Sequence, residues 1–374
     1  MNNSTEQALK ELNYGGYPDL STVRKILVIN FANIGDVILS SPIFSVLRKT
    51  IPGVLVDALV NSGSEEVLIE NPDVNFIHVL NRQALEAGKI HRIKEEIRLV
   101  RAIRVKRYDM TINLRTGDRG RYLGFVSGAE IRVGVDSKRK PLRGKWKFLT
   151  IPVRLAPAHR HYVERHLDCL RRIGIFPYGN LKSPTFFEGE QAKFRVNELL
   201  RKAGISDSVP YAVVHPTSRW LFKCWPDEKV ADLIALIQGE LKTPVIITSG
   251  PDSSEIAHTK NILSKTLHDV IDFSGILNLR ELGALIRRAR LFIGVDSAPM
   301  HISAAVKTPI IALFGPTSEL DWGPWGQGHR ILRSASHPCR PCGQDGCGGS
   351  KKSECIESIE VNTVFNAVKE CLAE

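Results

Sequence analysis

The sequence predicts an α/β fold made of two consecutive domains, each built on a parallel sheet. The chain has 374 residues, 43% apolar and 24% charged, which is enough for two domains with separate cores. Short apolar runs alternate with stretches of helical periodicity along most of the chain. The alternation is interrupted between Arg171 and Thr185 by a segment rich in Gly, Pro and Asn, which we interpret as a linker.

Each half is predicted to consist of βαβ units. In the first half the apolar run KILVIN at 25–30 leads into the loop FANIGD and a helix, and a second apolar run follows at 54–60. The other predicted strands lie at 76–80, 110–114, 132–135, 211–215, 245–249, near 270, 291–295 and 310–314. Predicted helices of the second half cover 226–239, 254–266, 279–289, a segment opening at Pro299, and 363–372. We place an N-terminal domain at 22–175, a C-terminal domain at 185–356 and a final helix at 357–374.

Basic residues are concentrated in one block of the chain. Lys and Arg outnumber Asp and Glu by 51 to 40, which gives a net charge of +11. The block from Lys89 to Lys147 carries 18 basic and 6 acidic residues, so the remainder of the chain is close to neutral. Such a block predicts an anionic partner, which is nucleic acid, an acidic membrane surface or a phosphorylated substrate.

The sequence shows no targeting or membrane-spanning signal. The first 20 residues are polar and lack the basic start and apolar core of a signal peptide. No apolar run approaches the roughly 18–20 residues that a membrane span needs. We therefore expect a cytoplasmic protein that touches a membrane at most peripherally.

Ligands of open α/β sheets bind at the carboxyl ends of the strands, and the loop after the first strand is one candidate. It reads FANIGDVIL, which is neither the dinucleotide fingerprint nor the P-loop fingerprint. Its Asp36 has two interpretations that spacing alone leaves open. The residue is either an acid that stabilises the start of a helix or a general base at the cleft between the domains.

The loop HPTSRWLFKCWPDE in the second half combines hydroxyl groups with positive charge. Thr217 and Ser218 supply the hydroxyl groups, and Arg219 and Lys223 the charge, just before an expected helix. This combination suits a phosphate or a pyrophosphate. A capped helix with surface charges is the simpler alternative.

A third candidate loop, GVDSAPMHISAA, also precedes a helix. Asp296 ends an apolar strand, and Ser297 and Ala298 permit close approach of a ligand to the backbone. Free N–H groups at the start of the helix favour an anion. His301 lies inside this helix, where packing is the default role and catalysis the alternative. The later loop FGPTSELDWGP is expected to close over the same site.

Three segments together resemble the ADP-heptose:lipopolysaccharide heptosyltransferases of glycosyltransferase family nine. They are KILVINFANIGDVILSSPIFSVLRKTIPG, VVHPTSRWLFKCWP and LFIGVDSAPMHISAAVKTPIIALFGPT. The second segment, with a late cysteine cluster, is most similar to the heptosyltransferase III type, and the resemblance covers about 22–374. It implies a GT-B fold with two Rossmann-like domains facing across a cleft, and inverting transfer of heptose from ADP-heptose to the lipopolysaccharide inner core.

The resemblance also implies roles for individual residues. Asp36 matches the general base of the family, and Glu255 corresponds to a ribose contact. The residues assigned to the donor are Thr217, Ser218, Arg219, Lys223, Glu255, Asp296, Ser297, Ala298 and His301.

An inverting transfer needs a base on the acceptor hydroxyl and stabilisation of the departing diphosphate. Asp36 would act as the base, while Lys223, Arg219 and two helix N-termini would stabilise the diphosphate. Many sugar-nucleotide enzymes use a divalent metal held by a D-x-D pair, and this sequence contains no D-x-D. We therefore expect catalysis without a metal ion or other cofactor.

Four of the seven cysteines form a C-x2-C-x4-C-x7-C cluster near the C-terminus. They are Cys339, Cys342, Cys347 and Cys355. Four such thiols can bind zinc or an iron–sulfur cluster, although the spacing is not that of a standard zinc ribbon. A structural zinc stays an alternative to thiols without metal or partial disulfides, which we favour. The cysteines expected in the core are Cys169, Cys224 and Cys371.

The basic block has two parts. The first is a predicted helix over 90–109, which either packs on the sheet or is attracted to an anionic membrane surface. The apolar residues expected on one face of this helix are Ile90, Ile93, Ile97, Val100 and Ile103. The second part is irregular and lies in the predicted acceptor domain. Its candidates for contacts with phosphates and acidic sugars are Arg115, Arg119, Lys138, Arg139 and Lys140.

Three other functions stay open as alternatives. A nucleic-acid-binding protein would explain the net charge, but the sequence has no helix-turn-helix, RRM or finger pattern. A transferase of the same architecture with a different nucleotide sugar for cell-envelope glycan synthesis is a nearer alternative. A non-catalytic sugar-nucleotide or lipopolysaccharide binding protein is the third, and the presence of Asp36 argues against it.

Overall fold

A computed structural model describes residues 16–136, 148–155 and 159–373. Its framework is two six-stranded sheets in which all strand pairs are parallel. The first sheet contains β1 (Lys25–Asn30), β2 (Leu55–Asn61), β3 (Phe76–Leu80), β4 (Met110–Asn113), β5 (Ile131–Asp136) and β6 (Ile151–Arg154). Their order across the sheet is β3-β2-β1-β4-β5-β6.

The second sheet repeats this topology. It contains β7 (Ala212–His215), β8 (Val245–Ile247), β9 (Ile271–Asp272), β10 (Leu291–Val295), β11 (Ile310–Phe314) and β12 (Arg330–Arg333). Their order is β12-β11-β10-β7-β8-β9, so the strand order reverses beside the first strand, as it does in the first sheet. The carboxyl ends of strands at such a reversal are where α/β proteins bind ligands.

The helices of the first half cover both faces of its sheet. They are α1 (Ile34–Ser40), α2 (Pro42–Thr50), α3 (Arg82–Glu86), α4 (Lys89–Lys106), α5 (Asp118–Val126) and α6 (Tyr162–Arg171). The single helix predicted after β1 is two helices, because Pro42 has no N–H to continue the hydrogen bonding of α1 and begins α2 instead.

The second half has eight further helices among the described residues. They are α7 (Glu190–Lys202), α8 (Asp227–Leu241), α9 (Ser253–Leu263), α10 (Leu279–Arg288), α11 (Ala298–Val306), α12 (Glu319–Trp322), α13 (Glu354–Glu357) and α14 (Val361–Ala373). The final helix packs against α8, and the indole N–H of Trp225 donates to the carbonyl of Ile359 over 3.0 Å. Cys371 of α14 is buried in this contact, and Cys169 and Cys224 are also buried, as predicted.

The central strands of both sheets are buried on both faces, which explains their continuous apolar runs. One continuous apolar core contains side chains from both halves, including Phe44 of α2 and Phe292 of β10. The outer strands β6 and β12 were not predicted, because each has only four residues and mixes apolar with charged side chains.

The predicted packing of α4 is wrong in part. Ile103 is buried and Val100 is half-buried, but Ile90, Ile93 and Ile97 are exposed. The helix packs through Glu95, Leu99 and Ile103, which lie on the opposite side from the first three isoleucines. In the part of the chain that the structure describes, no helix is both long and apolar enough to cross a bilayer.

Candidate active site

Asp36 lies in the first turn of α1, directly beyond the carboxyl end of β1. Asn33 is the N-cap of this helix, and the amide of Asn30 donates to the backbone carbonyl of Asp36 over 3.4 Å. Only 7% of Asp36 is exposed. Burial raises the pKa of this carboxyl, while the charge of Arg115 and the backbone N–H of Asn33 oppose the rise.

Arg115 reaches Asp36 from the loop after β4. Its guanidinium Nη1 is 3.3 Å from Asp36 Oδ1, and about two-fifths of the arginine side chain is exposed. The side-chain amide of Asn113 donates to the carbonyl of Arg115 over 2.8 Å and so fixes the loop. Gly120 makes room for this amide, because a Cβ there would lie 2.3 Å from Asn113 Oδ1.

The second sheet contributes an ion pair between a half-buried lysine and a buried aspartate to the same place. Lys223 Nζ lies 2.6 Å from Asp296 Oδ2. Asp296 follows β10, and Lys223 ends the single 3-10 turn Leu221–Lys223 after β7. Both charges act on the pKa of Asp36, Asp296 raising it and Lys223 lowering it. Charged groups from the two sheets are therefore electrostatic neighbours at one cleft.

The helix α11 faces α1 across this cleft. The packing is so close that a Cβ on Gly35 would lie 2.9 Å from His301 Cδ2. Burial lowers the pKa of His301 to about 4, so the ring is neutral near pH 7. Its Nδ1 is buried and has no hydrogen-bond partner among the described residues. Ser297, the N-cap residue of α11, donates its hydroxyl to the carbonyl of Val295 over 3.3 Å.

The loops after β7 and β8 form a second polar cluster. The buried hydroxyl of Thr217 donates to Glu255 Oε2 over 2.7 Å, and the N–H of Gly250 donates to the same oxygen over 3.2 Å. Ser218 is buried next to Thr217. Arg219 is exposed, and its charge lowers the pKa of Asp252, although the hydrogen bonds of Ser254 to that carboxyl lower it more.

Not every predicted residue joins the cleft. The guanidinium of Arg119 lies 3.0 Å from the carboxylate of Glu96 on α4, so it is paired away from Asp36. Ala298 is half-buried at the start of α11. Three predicted acceptor residues lie outside the described residues: Lys138, Arg139 and Lys140.

The loop FGPTSELDWGP contacts the first half of the chain. Asp321 accepts from the backbone N–H of Arg160 over 3.0 Å and from the guanidinium of Arg165 over 2.9 Å. His161 Nε2 lies 2.8 Å from the carbonyl of Gly323. Asp321 could not be predicted as a contact from the sequence, because an acid in a Gly/Pro-rich loop carries no signal of a distant partner.

The cysteine cluster does not form a metal site in the described part of the chain. No group of three or more His, Cys, Asp or Glu side chains there is placed to bind a metal ion. Cys339 is exposed, Cys342 and Cys347 are half-buried, and Cys355 is buried. Burial raises the pKa of the Cys355 thiol, and the other three thiols are close enough to raise it further.

The architecture and the cleft together define a glycosyltransferase of the GT-B class, in which two Rossmann-like domains face each other. Its two halves meet at Asp36 on one side and at Lys223 and Asp296 on the other. The chain belongs to glycosyltransferase family 9, the heptosyltransferases, whose family model matches residues 96–352. The fold class and the family expected from the sequence are both confirmed.

Known relatives agree with this assignment. The chain is 34% identical over 293 residues to lipopolysaccharide heptosyltransferase 3 of Escherichia coli K12. This alignment covers 78% of this chain and 82% of the relative. The family 9 glycosyltransferase of Veillonella parvula has a similar structure, with a TM-score of 0.83, 23% identity and coverage of 96% and 99%. Escherichia coli heptosyltransferase WaaC with ADP gives a TM-score of 0.70, 18% identity and coverage of 93% and 99%.

Proposed function

We propose that this enzyme transfers a heptose from ADP-heptose to the inner core of lipopolysaccharide, with inversion at the anomeric carbon and without a metal ion. The observation that carries the proposal is the convergence of Asp36 with Lys223 and Asp296 at one cleft. The names of the relatives support the substrates, since they include lipopolysaccharide heptosyltransferases 1, 2 and 3.

In this proposal the second half, 185–356, binds the donor. Glu255 is held at a fixed position by Thr217 and by the N–H of Gly250, and it contacts the ribose. The diphosphate lies beside Lys223, Arg219 and the amino end of α11. The hydroxyl groups of Ser218 and Ser297 contribute to its binding. The departing ADP gains negative charge, which these groups stabilise without rearranging.

The first half, 22–175, binds the acceptor and supplies the base. Asp36 removes the proton from the attacking hydroxyl, which then bonds to the anomeric carbon as the bond to ADP breaks. Its raised pKa makes this carboxylate a stronger base than an exposed aspartate. Arg115 keeps it ionised before the acceptor binds, and then contacts a phosphate of the acceptor together with Arg119.

The acceptor is anchored in a membrane, so we place the enzyme on the cytoplasmic face of the inner membrane, in peripheral contact with it. The predicted final segment, 357–374, completes the donor-binding half, because its helix α14 packs on α8. A family member that uses a different nucleotide sugar is the second candidate, because the residues around the diphosphate do not select the sugar.

The replacement D36N tests the catalytic part of the proposal. We expect transfer from ADP-heptose to fall by about a thousand-fold, because the amide cannot accept the proton. ADP affinity, measured by calorimetry, should change less than about two-fold. The control is D232N, which removes an exposed carboxylate of α8. Unchanged turnover of D36N would exclude it as the base.

A panel of ADP- and UDP-linked sugars tests the donor, with the anomeric configuration of the product read by NMR. We expect transfer from ADP-heptose only, with the configuration inverted and with full activity in the presence of a chelator. Preference for another sugar nucleotide would favour the second candidate.

A further inference from the structure

The amino-terminal half of α4 projects from the body of the protein. Every residue from Glu86 to Lys94 is exposed, although the segment includes the first turns of an 18-residue helix. Ile90 is 68% exposed, Ile93 58% and Ile97 45%. Since α4 packs through its opposite side, these three isoleucines form one ridge at helical spacing that faces away from the sheet.

Positive charge surrounds this isoleucine ridge. The two acids of α4 are both paired, Glu95 with Arg98 and Glu96 with Arg119. Five exposed basic residues of the helix have no ion pair among the described residues: Lys89, Arg92, Lys94, Arg101 and Arg104. A ridge of apolar side chains bordered by unpaired cations is typical of a helix that lies in the interface of an anionic bilayer.

The ridge lies at the edge of the first sheet that carries the candidate active site. The chain leaves the carboxyl end of β3, forms the short α3 and then α4, and returns to the amino end of β4. The ion pair between Glu96 and Arg119 ties the amino-terminal half of α4 to the first turn of α5. That turn begins shortly after Arg115, whose guanidinium touches Asp36. The isoleucine ridge and the cleft therefore face the same end of the sheet.

Other occupants explain this surface less well. A nucleic acid would pair with the cations but would leave three isoleucines in water, and no aromatic side chain stands on this ridge for a base to stack on. A second copy of the chain would cover the isoleucines, yet it would bring two sets of unpaired cations together. A bilayer with anionic headgroups matches both the apolar and the charged part.

We infer that the isoleucine ridge of α4 docks the enzyme on an anionic membrane, with Ile90, Ile93 and Ile97 inserted among the acyl chains and the flanking cations on the lipid phosphates. The inference rests on the proposed function only in that the acceptor is held in a membrane. Docking at this helix presents the cleft to the bilayer surface, where an anchored acceptor would be found.

Sedimentation with lipid vesicles tests the inference on the full chain. Vesicles of phosphatidylcholine with about 30% phosphatidylglycerol are compared with vesicles of phosphatidylcholine alone. We expect the wild type to bind the anionic vesicles, and the triple variant I90S/I93S/I97S to bind them at least ten-fold more weakly. The control F194S/L267S removes two apolar side chains of the second half that are 63% and 83% exposed, and it should bind as the wild type does.

A second variant, K89Q/R92Q/K94Q, separates charge from insertion. It should also bind at least ten-fold more weakly and lose most of the salt dependence seen with the wild type. Circular dichroism and ADP affinity should match the wild type in both variants, which shows that the fold and the donor site are intact. Transfer to a delipidated, water-soluble acceptor tests the proposed function separately, and it should be retained.

Four results would overturn the inference. The first is equal binding of the triple variant and the wild type to anionic vesicles, and the second is no binding of the wild type to them. The third is a wild-type dimer that the triple variant dissociates, and the fourth is tighter binding of single-stranded RNA than of vesicles. Failure of transfer to the soluble acceptor would instead count against the proposed function.

Discussion

The guanidinium of Arg115 lies 3.3 Å from the carboxylate of Asp36, although Asp36 belongs to the first turn of α1 and Arg115 to the loop after β4. The contact sets the charge state of a carboxyl that burial would otherwise push toward protonation. It also leaves Arg115 partly exposed, so the arginine can exchange this partner for an anionic ligand. The pair thus links acceptor binding to the basicity of Asp36 in the proposed mechanism.

The variant R115Q should raise the pKa of Asp36, because Arg115 is the largest of the influences that lower it. Transfer requires the ionised carboxylate, so activity falls when the pH drops through this pKa. The acidic limb of the kcat profile should therefore move to higher pH. The variant R195Q, which removes an exposed arginine of α7 in the second half, is the control and should leave the limb in place. An unmoved limb in R115Q would contradict the assignment of Asp36 as the titrating base.

The variant K223Q should weaken the binding of ADP by about ten-fold, because it removes a charged donor for the diphosphate. It also leaves the buried carboxylate of Asp296 without its partner at 2.6 Å, so the free energy of unfolding should fall by about 3 kcal/mol. Calorimetry and urea unfolding measure the two effects. The exposed ion pair of Lys265 with Glu228 provides the control K265Q. ADP binding that is as tight in K223Q as in the wild type would remove Lys223 from the donor site.

The variant G35A tests the close approach of α1 and α11. A Cβ at this position would lie 2.9 Å from His301 Cδ2, so the two helices or the imidazole ring must shift. We expect kcat/KM to fall about ten-fold, while the free energy of unfolding changes by less than about 1 kcal/mol. The control is G117A, where a Cβ would enter open space. If G35A kept full activity, the cleft would have to tolerate this displacement.

The variant H215Q should flatten the pH dependence of stability. Burial lowers the pKa of His215 to about 3, and its Nδ1 lies 2.9 Å from the hydroxyl of Thr248. An unfolded chain takes up a proton on this histidine below about pH 6.5, whereas the folded chain does not until about pH 3. The free energy of unfolding therefore falls as the pH drops from 6.5 toward 3, by about 2 kcal/mol at pH 5.

Urea unfolding of the wild type and of H215Q at pH 7.5 and pH 5 measures this difference. The loss of stability on acidification should be about 2 kcal/mol smaller in the variant. The exposed His91 offers the control H91Q, which should follow the wild type. Equal losses in the wild type and H215Q would show that His215 does not contribute.

The central strands and the family could be predicted from the sequence, because buried parallel strands give continuous apolar runs with clear ends. The segment 291–295 is an example, since its five residues are all buried in β10. The edge strand β12 could not be predicted in this way. It reads RILR, in which apolar and basic residues are mixed, and only its pairing with β11 makes it a strand.

The sequence predicted which residues of three loops belong to the site, but it did not predict which of them contact one another. Lys223 and Asp296 were both expected near the diphosphate. Their ion pair could not be predicted, because the two residues are 73 positions apart and no local sequence pattern indicates which distant residues pair. In α4 a local sequence pattern was present but predicted the wrong buried face. Its isoleucines have the spacing of a buried face, and only the tertiary structure shows that Leu99 and Ile103 are buried instead.

Asp321 has a consequence for motion between the two halves of the enzyme. Its carboxylate is bound by the backbone of Arg160 and by Arg165, while the carbonyl of Gly323 is bound by His161. If the two sheets rotate to open or close the cleft around Asp36, these short bonds either stay intact and act as the pivot, or break and add to the barrier for opening. In either case the bonds of Asp321 would affect how fast the donor enters and the product leaves the cleft.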